Sequence, residues 1–129
     1  NANFLQFNIV ASNLTVHKLY ETCTWMKQYS NHITLAILRT PKVFSELAVP
    51  HIERNVYLES AKKLLKFPVS VYYAARFRNE INLIIKKYSE SLYDESLHHY
   101  LADEITEQDS HRTLKLQDVD GFLHDWIYR

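Results

Sequence analysis

Seven histidines in a chain of 129 residues raise the question of metal first. Glu95, His99 and Asp103 recur every fourth residue, which places two carboxylates and an imidazole on one helix face. Glu95-Ser96-Leu97-His98 also has the E-x-x-H spacing used by di-iron bundles. Those bundles need a second such pair and further inward glutamates, and no second E-x-x-H is present. The only cysteine is Cys23, so the paired cysteine–histidine spacing of a structural zinc site is missing as well. The 95–103 face is read as solvated, His17 with Glu21 as a surface pair, and neither metal nor cofactor is expected.

Nucleophilic chemistry has as little support. There is no G-x-S-x-G elbow, and the one glycine, Gly121, cannot build a phosphate-cradling loop. Glu53 with Glu59, and Asp94 with Glu95, are carboxylate pairs that nothing places in a cleft. Cys23 falls on an apolar helix face and reads as a buried filler. The chain is expected to be non-catalytic.

The basic residues form the stronger signal. Lys62, Lys63, Lys66, Arg76, Arg78, Lys86 and Lys87 crowd one stretch, interleaved with Phe67, Tyr72 and Tyr73. The totals balance at 15 and 15, yet residues 39–88 hold ten Lys/Arg against four Asp/Glu, and residues 89–129 hold three against ten. Such segregation implies a basic surface with a partner, or two halves that attract each other. Aromatic residues make up 13% of the chain, with nine tyrosines, more than a core of this size needs. Tyrosines suit interfaces that are apolar at one end and wet at the other, and Tyr57, Tyr72, Tyr73 and Tyr93 are candidates. The expected partner-binding set is Lys62, Lys63, Lys66, Phe67, Tyr72, Tyr73 and Arg76, facing a protein or short peptide segment. The alternative is a nucleic acid, with phosphates on the cations and bases stacked on the rings. Overall neutrality, and an acidic C-terminal third able to cover the patch, weigh against it.

The elements that must carry this surface centre on residues 62–88. Pro68 divides two apolar blocks, so one helix closes at Lys62–Lys66 and another opens at Ser70 or Val71. Ala74, Phe77, Ile81, Ile84, Ile85, Tyr88 and Leu92 recur at spacings of three and four, one face of a long helix that bends at Ser89–Ser91 or runs past it. Ahead of it, Phe4–Val10 is a helical turn or an extended lead-in, and Ser12 or Asn13 caps a helix bearing Val16, Leu19, Tyr20, Cys23 and Met26. Ile33, Leu35, Ile37 and Leu38 alternate partly like a strand but are taken as helix. Pro41 and Pro50 open further helices, the second with the stripe Ile52, Val56, Ala61, Leu64 and Leu65. Leu92, Leu97, Tyr100, Leu101 and Ile105 continue an amphipathic pattern. Residues 106–113 read as a loop, Leu114 and Leu116 as an extended piece. Asp118 or Asp120 caps a last helix that buries Phe122, Leu123, Trp126 and Ile127. The fold class is therefore all-α, a single bundle of five to six helices over 1–129.

Ile33-Thr34-Leu35-Ala36-Ile37-Leu38, Ala61-Lys62-Lys63-Leu64-Leu65-Lys66-Phe67 and the segment 71–87 together resemble a family of helical bundles. These are the N-terminal domain of the transcription elongation factor TFIIS and the integrase-binding domain of the lens-epithelium-derived growth factor. The similarity spans residues 16–88 and departs at an insertion over 41–57. It implies a scaffold docking short acidic-aromatic segments of transcription or chromatin proteins, hence a nuclear setting. Asp118-Val119-Asp120-Gly121-Phe122 with Trp126 itself looks like such a ligand, though an ordinary capped terminal helix is the favoured reading. No run of 18 apolar residues spans a membrane, and no signal peptide is visible. The lone cysteine points to the reducing cell interior, where the sequon Asn13-Leu14-Thr15 stays unmodified. With Asn1 in place of methionine, the chain is expected to be a fragment of a larger protein.

Overall fold

A computed structural model describes residues 5–129. Strand β1 (Phe7–Ala11) leads through a 3-10 turn (Val16–Lys18) into helix α1 (Leu19–Lys27), then strand β2 (Ile33–Ile37). Three 3-10 turns follow at Lys42–Phe44, Glu46–Ala48 and His51–Glu53. Then come α2 (Arg54–Lys63), closed by a 3-10 turn at Leu64–Lys66, and α3 (Ala74–Glu90). The chain ends with α4 (Glu95–Asp109), α5 (Leu116–Val119) and α6 (Gly121–Ile127).

The protein is mostly helical, but not all-α. β1 and β2 pair in parallel, from Phe7 opposite Ile33 to Ala11 opposite Ile37. A parallel pair needs a crossover long enough to bring the chain back, and α1 supplies it. Ile9 and Ala11 on one strand, and Ile33 and Leu35 on the other, are buried at period two. The segment taken as helix is thus a strand. The Phe4–Val10 run is extended from Phe7 onward; Phe4 lies outside the described residues.

α3 packs on β2 and on α2. Its buried face is Phe77, Ile81, Ile84 and Tyr88, as the spacing predicts. It opens at Ala74 rather than Ser70, because the preceding turn is held elsewhere. The Ser70 N–H donates to the Asn31 carbonyl at 2.8 Å and the Tyr73 N–H to the Ser70 carbonyl at 2.9 Å. It stops at Glu90, and Leu92, expected in its stripe, is 82% exposed. Asp94 starts α4 by accepting the N–H groups of Ser96 and Leu97. α4 then takes in residues 106–109, expected as loop, and Leu116 opens a short helix instead of an extended piece.

The largest departure from periodicity is in α2. Ile52 and Val56 face solvent, Ile52 at 75% exposure, while Arg54, Tyr57, Ser60 and Ala61 are buried. Arg54 is 2% exposed, and each of its three guanidinium nitrogens donates a hydrogen bond. Its Nε donates to the Val49 carbonyl at 2.9 Å and its Nη2 to the Glu46 carbonyl at 2.9 Å and the Leu92 carbonyl at 3.4 Å. Nη1 donates to the Ser91 carbonyl. Burial pulls this guanidinium below its ordinary pKa, and Glu46 and Tyr88 oppose that. One side chain thus ties the 46–49 turn to the break between α3 and α4.

Tyr57 stacks on Tyr88 at 4.9 Å and packs beside Phe122 and Trp126. Its hydroxyl donates to the Asn13 carbonyl at 2.6 Å. Asn13 is itself buried, its side-chain amide donating to the carbonyls of Val43 at 2.9 Å and Ser45 at 2.8 Å. In the folded chain the sequon nitrogen is therefore occupied and out of reach. α6 begins as expected, with Asp120 accepting the Leu123 N–H at 3.1 Å and Trp126 and Ile127 buried.

Candidate functional site

The histidines divide into three groups. Glu95 and His99 lie exposed on α4, 3.8 Å apart, and Asp103 is exposed too, so that face is solvated as read. His98 is a correction: it is buried, with Nε2 at 2.8 Å and 3.0 Å from the carbonyls of Trp126 and Ile127. A carbonyl can only accept, so Nε2 carries the proton and Nδ1 accepts from the Tyr93 hydroxyl. His98 is in effect a side-chain cap on the last carbonyls of α6, which have no helical partner of their own.

His17 is the second correction. It is buried rather than paired with Glu21 at the surface, and its Nε2 lies 2.7 Å from Asp120 Oδ2. Phe122 stacks on the ring at 5.3 Å and Tyr57 lies against it at 5.6 Å. Burial pulls His17 below its ordinary pKa, and the Asp120 hydrogen bond opposes but does not reverse this. Burial pushes Asp120 up, but the hydrogen bonds from His17 and the Leu123 N–H hold it below the usual carboxylate range. The dyad resembles catalytic machinery in outline. No hydroxyl or thiol stands at hydrogen-bond distance from its free nitrogen, His17 Nδ1, which is buried without a partner. It joins the 3-10 turn ahead of α1 to the cap of α6. Among the described residues no group of three or more histidine, cysteine, aspartate or glutamate side chains gathers as metal ligands. Cys23 is buried, and burial pushes its thiol up to about 12, as befits a filler.

The basic stretch is different, because it stays open. Lys62, Lys63, Lys66 and Arg76 are all exposed. Tyr72 is 84% exposed and Val71, not anticipated as part of the face, 85%. Tyr73 is half-buried, its hydroxyl 3.1 Å from Gln6 Oε1 and its ring edge-on to His32 at 5.9 Å. Phe67 belongs to the core instead, packed with Phe77 and Tyr20, with only Lys27 reaching over its ring at 5.9 Å. Tyr57 is likewise core, and Tyr93 is committed to His98.

Local structure explains the exposure. Residues 67–73 form a corner without regular structure between the turn closing α2 and the start of α3. The buried Phe67 and Ser70 anchor it, while Val71 and Tyr72 have nothing to pack on. Arg78 braces it by donating from Nε to the Leu65 carbonyl at 3.3 Å. Lys63 is partly engaged, 3.6 Å from Glu59 and over the Tyr20 ring at 5.4 Å.

The acidic third does not neutralise this corner. α4 packs on the 3-10 turns at 42–48 and on α6, away from Lys62–Arg76. Among the described residues no cation of 62–87 forms an ion pair with a carboxylate of 89–129. No helix of the described residues is long and apolar enough to cross a membrane. Compared with known protein families, with curated proteins and with solved structures, the chain gives no significant match.

Proposed function

We propose that the chain is a non-catalytic interaction domain that docks an acidic, aromatic-bearing protein segment on the corner between α2 and α3. The observation that carries this is that Val71 and Tyr72 are both more than 80% exposed, and that the chain on either side of them carries the exposed cations Lys62, Lys66 and Arg76, which form no ion pair among the described residues. Two large apolar side chains left in water at the apex of a braced turn gain from being covered. Cations with no internal carboxylate favour a partner of opposite sign and speed its approach. An aromatic ring seated on Val71 and Tyr72, with flanking Asp or Glu toward the lysines and Arg76, satisfies both demands. A transcription or chromatin setting and a nuclear location belong to this reading through the resemblance of residues 61–67 and 71–87 alone.

A nucleic acid is the second reading, favoured by the same free cations beside a ring able to stack. Fluorescence anisotropy separates the two. A peptide alternating Asp/Glu with Phe and Trp is titrated against a DNA duplex, each at two salt concentrations. Tyr72→Ala lowers peptide affinity by about 30-fold if Tyr72 is an interface hot spot. Duplex binding instead, falling with a log–log salt slope of about −3 to −4 for four phosphate contacts, makes the nucleic acid the partner.

A further inference from the structure

The opposite end of the parallel pair holds a second feature, independent of the corner. β1 ends at Ala11 and β2 at Ile37, where the Leu38 N–H donates to the Ala11 carbonyl at 2.8 Å and the two chains then diverge. In sheets of parallel strands, ligands bind outside the carboxyl ends, where diverging loops leave a crevice. Here the crevice has a volume of about 200 Å³, between the end of β2, the 3-10 turns at 42–48 and the last turn of α3. Arg39, Lys42, Ser45, Glu46 and Lys87 line it.

Its walls are fixed. The buried amide of Asn13 holds the carbonyls of Val43 and Ser45, and the buried Arg54 holds those of Glu46 and Val49. Arg39 lies in the connection after β2, Lys42 in the 3-10 turn that follows it and Lys87 on α3, and none of them forms an ion pair with a carboxylate of the described residues. Folding has brought together three like charges with one carboxylate, Glu46, among them. Glu46 on the inner wall offsets one of them. At the rim Lys42 also acts on Asp94, whose carboxyl is held low first by the Ser96 hydroxyl and the Leu97 N–H. The Ser45 hydroxyl is committed, donating to the Lys42 carbonyl at 2.7 Å, so the recognition is by charge.

We propose that this crevice binds the phosphate group of a small phosphorylated molecule, held by Arg39, Lys42 and Lys87. A concave site with an excess of one sign, here three cations against one carboxylate, concentrates the opposite charge. Arginine presents two parallel N–H donors to a phosphate, and lysine adds point charge. The volume is below that of pockets for drug-sized ligands, so the ligand carries little beyond its phosphate.

The test is a titration followed by the amide resonances of residues 38–47 and 84–88, at constant ionic strength. Inorganic phosphate and glycerol 3-phosphate are the two probes. Saturable shifts at those amides, with affinity reduced about tenfold or more in an Arg39→Gln, Lys87→Gln variant of unchanged circular dichroism, support the site. Tighter binding of glycerol 3-phosphate identifies the source as a phosphorylated small molecule; equal binding identifies free phosphate. Non-saturating shifts, unchanged affinity in the double variant, or an equal loss on Lys66→Ala at the far end of the sheet overturns the proposal.

Discussion

Arg54→Met isolates what a buried cation does for this fold. The substitution keeps most of the apolar stem and deletes every donor. The buried Val49 carbonyl then has no donor in its place, while the Glu46 carbonyl keeps the Val49 N–H at 3.0 Å. Each unsatisfied buried acceptor costs about 1–3 kcal/mol. The Ser91 and Leu92 carbonyls lie on the part-buried side, where water replaces the guanidinium at small cost. Against this stands relief from desolvating the cation. With one acceptor left bare and another reduced to a single donor, the net expectation is a loss of about 1–3 kcal/mol, a sizeable share of the roughly 5–15 kcal/mol of a whole domain. Urea denaturation at pH 7, followed by circular dichroism, should show a lower midpoint with an unchanged slope. Arg54→Lys should fall between, because one ammonium cannot reach all the acceptors that the planar fork serves. A Met variant within about 0.5 kcal/mol of wild type would mean that Arg54 does not clamp the 46–49 turn to the α3–α4 break.

Acid should weaken the fold through His17. Its pKa is lowered on folding, so below about pH 6.5 the unfolded chain binds a proton that the folded chain resists, and stability is lost as pH falls, by at most about 1.4 kcal/mol per unit. Asp120, also lowered, adds a loss at more acid pH as its folded value is passed, and His17→Gln should flatten the dependence between pH 6.5 and 5; equal slopes would remove His17 as its source. Ile52→Ser should change stability by less than about 0.5 kcal/mol, whereas Tyr57→Ala should cost about 3–5 kcal/mol, an ordering that denaturation midpoints check and that the aliphatic spacing of α2 would reverse. Cys23 should resist Ellman's reagent at pH 8 in the native state and react fully in urea; rapid native labelling would show that its helix does not bury it.

What the sequence discloses depends on where the stabilising partner lies. α3 was legible because Phe77, Ile81, Ile84 and Tyr88 announce one face within a single element. The α6 cap was legible for the same reason: Asp120 bonds an N–H three residues on. β2 was not, because five residues alternate too briefly to declare themselves and their partner strand lies 26 residues earlier. α2 was misread because its inward face carries Arg54 and Ser60, polar residues satisfied by chain outside the helix. His17 was assigned to Glu21, four residues away, while its partner is 103 residues on. For the candidate surface, the charge block could be counted from composition. Which of its members stay free, and that Phe67 is withdrawn into the core while Val71 is thrust out, follow from packing that spans the whole chain.

The surface at Val71 and Tyr72 is tested most directly by mapping amide shifts as the labelled domain is titrated with the acidic-aromatic peptide. Saturable shifts should cluster at residues 62–78, spare 38–47, and vanish in a Tyr72→Ala, Lys66→Glu variant that remains folded. Saturable shifts elsewhere, or shifts that survive that variant unchanged, would contradict the assignment.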